Sequence, residues 1–419
     1  MKLRTGYKQT EVGPVPVDWC EFTIGELIAF EGGSQPNKTH FRQTWVPGFS
    51  RLIQIRDYKT DKYETYVPTK LVRRFCTENE IMIGRYGPPV FQILRGLSGA
   101  YNVALIKATP KEQLDMSYAY YFLKQDSLFV FIDKLSQRSS GQTGVDLSEL
   151  RAYPFSLPPT KAEQEAITEA LRDADALIES LEQLLVKKRQ IKQGTMQELL
   201  TGKRRLPGFD GAWQVKTLAD LFNFSGGYSA SRDQLSANGH CYLHYGDIHT
   251  SSKTFVDVDA EFQEIPKLAI ALKKVSATSL LEDGDVVFVD ASEDDEGTSK
   301  HVVVSNPDKV PFISGLHTIV AKGKTDELAH LYKRYCFQTP EIKAQFLFFA
   351  VGTKVSGISK RNIGKITLQV PPVNEQTAIA TILSDMDADI AALESRLAKA
   401  RHIKQGMMQQ LLTGQIRLV

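Results

Sequence analysis

The chain has 419 residues, 42% hydrophobic and 24% charged, with a formal net charge of +2 at pH 7, which suits a soluble protein too long for one core. The longest apolar run, near Phe346–Val351, is far short of a membrane span, and the polar stretch Met1–Thr10 has no hydrophobic signal core, so export is not expected. Cys20, Cys76, Cys241 and Cys336 lie far apart with no Cys-x-x-Cys pair, which argues against a zinc ribbon or disulfide framework and for a reducing cytoplasm.

Taken in order, the chain reads as globular domain (1–160), helical spacer (161–206), globular domain (207–372) and helical spacer (373–419). The first domain carries 20 Lys/Arg against 16 Asp/Glu and the second 17 against 20, so the halves differ in sign. If both bind DNA, the second needs a local basic face or a partner protein. In the first domain, β-like runs fall at Leu52–Ile55, Ile81–Ile83 and Asn102–Ile106, and Tyr118–Leu128 reads as a helix. In the second, Val286–Val289 and His301–Val304 read as strands and Ala329–Gln338 as a helix. Trp19, Thr23, Leu27, Phe30 and Gly32-Gly33 recur at the same spacing as Trp213, Thr217, Leu221, Phe224 and Gly226-Gly227. Each domain ends with a Gly-rich stretch and a strand running into Pro158-Pro159 or Pro371-Pro372. The fold class expected is mixed α/β, with a twisted-sheet domain used twice.

The spacers are the clearest feature. Residues 163–206 and 375–418 align without a gap at a shift of 212, with 26 of 44 positions identical. Two copies are too few for a solenoid and suit a pair of helices, each following its own domain. An apolar seam at Ile167, Leu171, Ala174, Ile178, Leu181 and Leu185 recurs at Ile379, Leu383, Met386, Ile390, Leu393 and Leu397 in 4-3-4-3-4 spacing, the a/d pattern of a coiled-coil partner. Acidic residues fill the first half of each helix and basic residues the second, so antiparallel packing sets opposite charges together. About 40 residues at 1.5 Å each would span roughly 60 Å. Gly194 and Gly406, in register, are expected to mark a kink or break, and Thr201-Gly202 and Thr413-Gly414 to end the helices.

At its paired Pro-Pro…Glu-Gln…Leu-Leu-Thr-Gly segments the whole chain resembles the specificity subunit of type I restriction–modification systems. The second exit, Gln415-Ile416-Arg417, lacks the basic pair Lys203-Arg204. The resemblance implies two target recognition domains, each reading half of a bipartite double-stranded DNA site. It also implies a pseudo-twofold antiparallel helix pair that sets the gap and docks two methyltransferase subunits, with two restriction subunits as further partners. S-adenosylmethionine, ATP and magnesium would then belong to partner subunits and no cofactor to this chain.

Candidate DNA-facing residues are loop positions that punctuate the β-like runs: Ser34, Gln35, Arg42, Gln54, Arg56, Arg85, Tyr86 and Arg138 in the first domain. The second offers Tyr228, Ser231, Arg232, Tyr245, Asp247, Lys300 and Lys354. Arginine reads guanine and glutamine reads adenine through paired hydrogen bonds, while serine and lysine position on phosphate. Against this stand plainer readings. Each is also an ordinary loop residue, Arg56-Asp57 fits a strand-end salt bridge, and the acidic run Glu293–Glu296 fits a solvated turn. His240, Cys241, His244 and His249 sit in an alternating stretch without a second ligand cluster, so no metal site is assigned. No Asp/Asn-Pro-Pro-Tyr/Phe tetrapeptide, cofactor-binding Gly-x-Gly turn or phosphate-binding Gly-x4-Gly-Lys-Ser/Thr loop is present, so no catalytic residue is assigned. The reading is a non-catalytic DNA-recognition subunit; the alternative is a protein-binding scaffold with a helical spacer.

Overall fold

Both copies of the repeat fold as unbroken 39-residue helices, α1 (Lys161–Leu199) and α2 (Val373–Leu411). The computed structural model describes residues 4–11, 13–138, 144–251, 253–292, 297–352 and 355–418. Contacts divide the chain into unit 1, Met1–Glu182 with Ser395–Val419, and unit 2, Gln183–Glu394, so each helix gives one half to each unit. The break expected at Gly194 and Gly406 does not occur. A Cβ at either glycine would meet nothing within 4 Å, so both stand on open helix surface. Glycine propensity is a local cost of about 1 kcal/mol, and packing at both ends of a long helix outweighs it.

Opposite charges bring the helix halves together antiparallel inside each unit. In unit 1, Arg401 reaches Glu182 at 2.6 Å and Lys404 pairs with Asp175. In unit 2 the residues 212 positions away make the same contacts: Arg189 reaches Glu394 at 2.6 Å and Lys192 reaches Asp387 at 2.5 Å. A tyrosine from each sheet domain completes the arrangement, with Tyr121 Oη donating to Asp175 and Tyr335 Oη to Asp387, both at 2.9 Å.

The Glu-Gln entry of each helix is buried and fully used. Gln164 accepts from the Asp115 amide and donates to the Gln113 carbonyl, and Gln376 accepts from the Ala329 amide and donates to the Glu327 carbonyl. Glu163 takes a two-pronged bond from Arg417 at 2.8 Å and 2.8 Å, while Glu375 takes one from Arg205 at 2.5 Å and 2.7 Å. The arginine at the end of one copy thus locks the glutamate at the start of the other. That explains the departure at the second exit: Arg204 pairs only with exposed Glu198, and the arginine that matters is present in both copies.

Of the seam residues, Ile167 and Leu171 lie in the core of unit 1 beside Leu411 and Leu412. Ile379 and Leu383 lie in that of unit 2 beside Leu199 and Leu200. Leu181, Leu185, Leu393 and Leu397 are buried, and Ile178 and Ile390 are half-buried. The first turns therefore pack into a sheet-domain core as well as against a helix.

Unit 1 holds two four-stranded sheets. The strands of these two sheets are β1 (Ile28–Gly32), β2 (Phe49–Ile53), β3 (Tyr66–Pro68), β4 (Phe75–Cys76), β5 (Ile81–Gly84), β6 (Gln92–Leu94), β7 (Gly99–Tyr101) and β8 (Leu105–Pro110). The orders are β1-β8-β5-β6 and β3-β2-β7-β4. Unit 2 uses β9 (Phe222–Gly226), β10 (Leu235–Ser236), β11 (His240–Leu243), β12 (Phe255–Asp257), β13 (Lys267–Leu268), β14 (Val286–Val289), β15 (His301–Ser305), β16 (Phe312–Ser314) and β17 (Thr318–Gly323). Their orders are β9-β17-β14-β15-β12 and β10-β13-β11-β16. The same antiparallel neighbours surround β5 and β14, and β2–β7 and β11–β16 are both parallel.

Two local expectations need correction. The run Asn102–Ile106 is not one strand: the chain turns at 103–104, the Leu105 amide bonds back to the Asn102 carbonyl, and β8 begins only at Leu105. Tyr118–Leu128 is not one helix either, but the end of Met116–Leu123 and the start of Asp126–Arg138. The paired Gly-Gly motif has a steric cause. A Cβ on Gly33 would lie 2.0 Å from the Asn102 carbonyl oxygen, and one on Gly227 would lie 1.7 Å from that of Gly315. Among the described residues no helix is long and apolar enough to cross a membrane.

Candidate nucleic-acid interface

In unit 1 the central strand β5 runs out into Arg85 and Tyr86. Backbone bonds fix this exit: the Arg85 amide donates to Ala104 (2.8 Å), its carbonyl accepts from Val145 (3.0 Å), and Tyr86 bridges Gly144. Arg85 lies over the Tyr86 ring at 5.2 Å. Its Nε is buried, and no acceptor among the described residues takes its hydrogen. The 3-10 turn Ile55–Tyr58 packs alongside, with Ile55 beneath Gly84. Gln54 precedes that turn. Its amide is spent inside the domain, donating to Thr65 Oγ1 at 3.0 Å, and its own N–H goes to Asp57 at 3.0 Å. Burial raises the Asp57 carboxyl above the usual range. Arg56 stays half exposed, 3.9 Å from Asp57 and over the Tyr63 ring at 5.4 Å, so the strand-end ion pair exists but is long. The Ser34 amide bonds to Tyr101, and Gln35 follows it, half-buried. Arg42 is set apart from the Arg85 exit, exposed at the outer edge of the second sheet where it bridges Tyr66. The Arg138 side chain lies outside the described residues, on the helix that leads toward Gly144.

In unit 2 the corresponding exit from β14 is Asp290. Its amide donates to His317 (3.1 Å) and its carbonyl accepts from Ile358 (2.8 Å). His317 Nδ1 stands 3.3 Å from Asp290 Oδ1, which is buried without a hydrogen bond. The short helix Tyr245–His249 sits beside it, capped by His244, whose Nδ1 accepts from the Gly246 amide. Tyr245 packs between His244 and His317, with ring centroids 4.7 Å and 5.5 Å away. Arg232 donates to Asp247 at 2.7 Å and lies 3.3 Å from His244 Nδ1. Burial and that guanidinium together hold the His244 imidazole below its ordinary range. Ser231 caps the turn before Arg232, and the Tyr228 amide bonds to Ser314, so both enter the same loop cluster. Lys300 is tied to the carbonyl of His249, at the other end of the short helix. His249 also bonds Ser292 at 2.7 Å, Cys241 is buried in β11, and His240 opens that strand. Lys354 and Glu293–Glu296 lie outside the described residues.

A model of the type I restriction modification DNA specificity domain matches twice, over residues 16–189 and 211–400. The chain belongs to that family. It is 24% identical to the type I restriction enzyme MjaVIII specificity subunit of Methanocaldococcus jannaschii, over 96% of this chain and 94% of that one. The putative MjaX specificity subunit of the same organism is also 24% identical, covering 98% and 97%. Among solved structures, the S subunit of a type I restriction–modification system from M. genitalium superposes with a TM-score of 0.57 at 16% identity, covering 98% of each chain. A chain from a type I R-M system studied for complex assembly and conformational transition gives 0.56 at 14% identity, covering 96% of this chain and 99% of that one.

Each match spans one sheet domain and part of its spacer helix, and the central strands of the two domains align residue for residue. Gly84 pairs with Leu105, and Val289 with Thr318, so Arg85 and Asp290 occupy one position. Sequence reasoning named Arg85 because Gly-Arg-Tyr-Gly reads as a turn. It did not name the equivalent Asp290, since Val-Val-Phe-Val-Asp looks like a strand that simply ends. Only the long-range pairing of β14 with β17 reveals the equivalence.

Proposed function

We propose that this chain is the non-catalytic DNA-binding specificity subunit of a type I restriction–modification complex, with each sheet domain reading one half of a bipartite target. The spacer helices set the gap between the halves and dock the methyltransferase subunits. S-adenosylmethionine, ATP and magnesium belong to those partners and to any restriction subunits. Half-sites on one face of the duplex would lie about one helical turn, roughly 34–36 Å, apart. The observation that carries the reading is the double family match, joined to one backbone frame presented twice with different side chains. A duplicated frame with unlike loops suits the reading of two unlike sequences. The residues proposed to face DNA are Ser34, Gln35, Arg56, Arg85 and Tyr86 in one domain, and Tyr228, Ser231, Arg232, Tyr245 and Asp247 in the other, while Gln54 is not among them because its amide is bound to Thr65. Arg42 and Lys300 serve as outlying phosphate contacts, and Arg138 and Lys354 are proposed to contact DNA from the sequence alone. Binding draws on phosphate neutralisation and therefore falls steeply with salt. Deleting the gene and mapping N6-methyladenine across the host genome tests the proposal. Loss of one split motif is expected, and an unchanged map in a strain whose system is otherwise active would overturn it.

A further inference from the structure

Resting on that reading, we propose that the residue directly after the central strand is the base-reading position of each recognition domain, set to opposite hydrogen-bonding polarity in the two. Arg85 donates to a guanine in one half-site; Asp290 accepts from the exocyclic amine of a cytosine in the other.

Three observations converge on these residues. The first is equivalence. β1 pairs with β8 so that Gly32 faces Ile106, and β9 pairs with β17 so that Gly226 faces Ile319. Carried through β5 and β14, this register sets Arg85 on Asp290, Tyr86 on Ala291 and Ala104 on His317. The second is rigidity. At both positions the backbone N–H and C=O are spent on matching partners, Ala104 and Val145 in one domain, His317 and Ile358 in the other. The next residue bridges a glycine in each case, Gly144 or Gly357. The main chain is pinned on both sides, so only the side chain differs.

The third is unmet demand. Arg85 Nε and Asp290 Oδ1 are both buried without a hydrogen bond among the described residues, with His317 Nδ1 standing 3.3 Å from Asp290 Oδ1. Arg85 has no carboxylate partner among the described residues, whereas Arg51 pairs with Asp61 and Glu64 and Arg74 pairs with Glu31. Buried polar atoms are normally satisfied, and an unpaired one at the equivalent position of both domains suits a partner from outside. In the major groove guanine offers two acceptors, O6 and N7, that suit a guanidinium, while cytosine offers the N4 amine that suits a carboxylate. The charge inversion then selects opposite members of a G·C pair from one backbone position. Asp290 is missing from the sequence-derived candidates, and it gives the second domain a reader that accepts.

The test uses the assembled methyltransferase complex with the full-length chain, its target defined by mapping N6-methyladenine in a host that expresses it. The wild-type motif should contain a G·C pair in each half. With Arg85→Ala, discrimination at one G·C pair of one half should fall roughly 5- to 150-fold while the other half is unchanged. Asp290→Ala should do the same in the opposite half. The unaltered half reports that the complex is assembled. If an alanine variant abolishes all modification, Arg85→Lys and Asp290→Glu keep the polarity and should keep the base, whereas Arg85→Gln should shift that pair toward A·T. Motifs unchanged at every position in all these variants would overturn the proposal and leave bipartite recognition standing. A wild-type complex that marks no split motif would remove both.

Discussion

The sharpest test of the frame is the arginine lock at the helix exits. Glu163 has a side chain only 1% exposed, and its two carboxylate oxygens are both taken by Arg417 at 2.8 Å. Replacing Arg417 with alanine leaves that carboxylate buried and unpaired. Breaking a fully buried pair from one side costs about 3–5 kcal/mol. Here the guanidinium is 31% exposed and also reaches half-exposed Asp18, so water relieves part of the loss and about 2 kcal/mol is the better figure. For a unit of about 200 residues this corresponds to roughly 4–8 °C in midpoint. Arg401→Ala is the internal control. Arg401 is 59% exposed against a 45% exposed Glu182, a pair worth below about 1 kcal/mol. Thermal unfolding of the full chain, followed by circular dichroism, should therefore rank Arg417→Ala well below Arg401→Ala. In a double-mutant cycle, Glu163→Gln should recover part of the loss, because a neutral amide is cheaper to leave buried. Equal shifts for Arg417→Ala and Arg401→Ala would refute the argument that burial gives the lock its weight.

Gly33→Ala and Gly227→Ala should each destabilise by about 1–3 kcal/mol or more, since the atom in the way is a backbone carbonyl; an unchanged denaturant midpoint would contradict this. Gly194→Ala and Gly406→Ala point the other way: with open space around each Cβ, helix propensity should raise stability by up to about 1 kcal/mol apiece in the same assay. His301 is buried among Phe288 and Phe337, and burial pushes its imidazole down to about 4. Its folded value lies below the unfolded value of about 6.5, so its contribution is complete above pH 6.5 and is lost as pH falls toward 4, to roughly 3 kcal/mol. Urea midpoints at pH 7 and pH 4.5 should converge in His301→Gln relative to the wild type, and equal pH dependence in both would count against the assignment.

What the sequence made legible follows from the range of the interactions involved. The helix pair, its direction and its charge register are periodic and local, so identity at a shift of 212 exposes them. The Glu–Arg lock was half visible. Glu163 and Glu375 stand out as an entry motif, and Arg205 and Arg417 recur at the exit. Their pairing runs from the end of one copy to the start of the other, which aligning a repeat with itself cannot show. Gly194 and Gly406 misled because propensity is counted residue by residue, whereas these helices are held by cores at both ends. Asn102–Ile106 misled because its turn contains no glycine or proline to announce it. At the candidate interface, turn residues such as Arg85 were named from turn composition, while Gln54 looked free and is bound to Thr65.

The contrast between frame and reader also bears on the unequal charges of the two domains, +4 and −3 by residue count. A domain that reads by donating carries net positive charge at no electrostatic cost near phosphate. One that reads by accepting sets carboxylates against a polyanion, so its affinity must come from elsewhere. Asp247 is already neutralised by Arg232 at 2.7 Å, and His317 stands 3.3 Å from Asp290. The Arg232 guanidinium thus shields one acidic side chain of the second domain, and an imidazole stands beside the other. On this account Arg232→Ala weakens binding through the second half-site without changing the base it selects, whereas Asp290→Ala relaxes selection with little loss of affinity. Separating Kd from motif in those two variants distinguishes shielding from reading. If Arg232→Ala altered the motif instead, the guanidinium would itself be a reader and the division of labour argued for the second domain would fail.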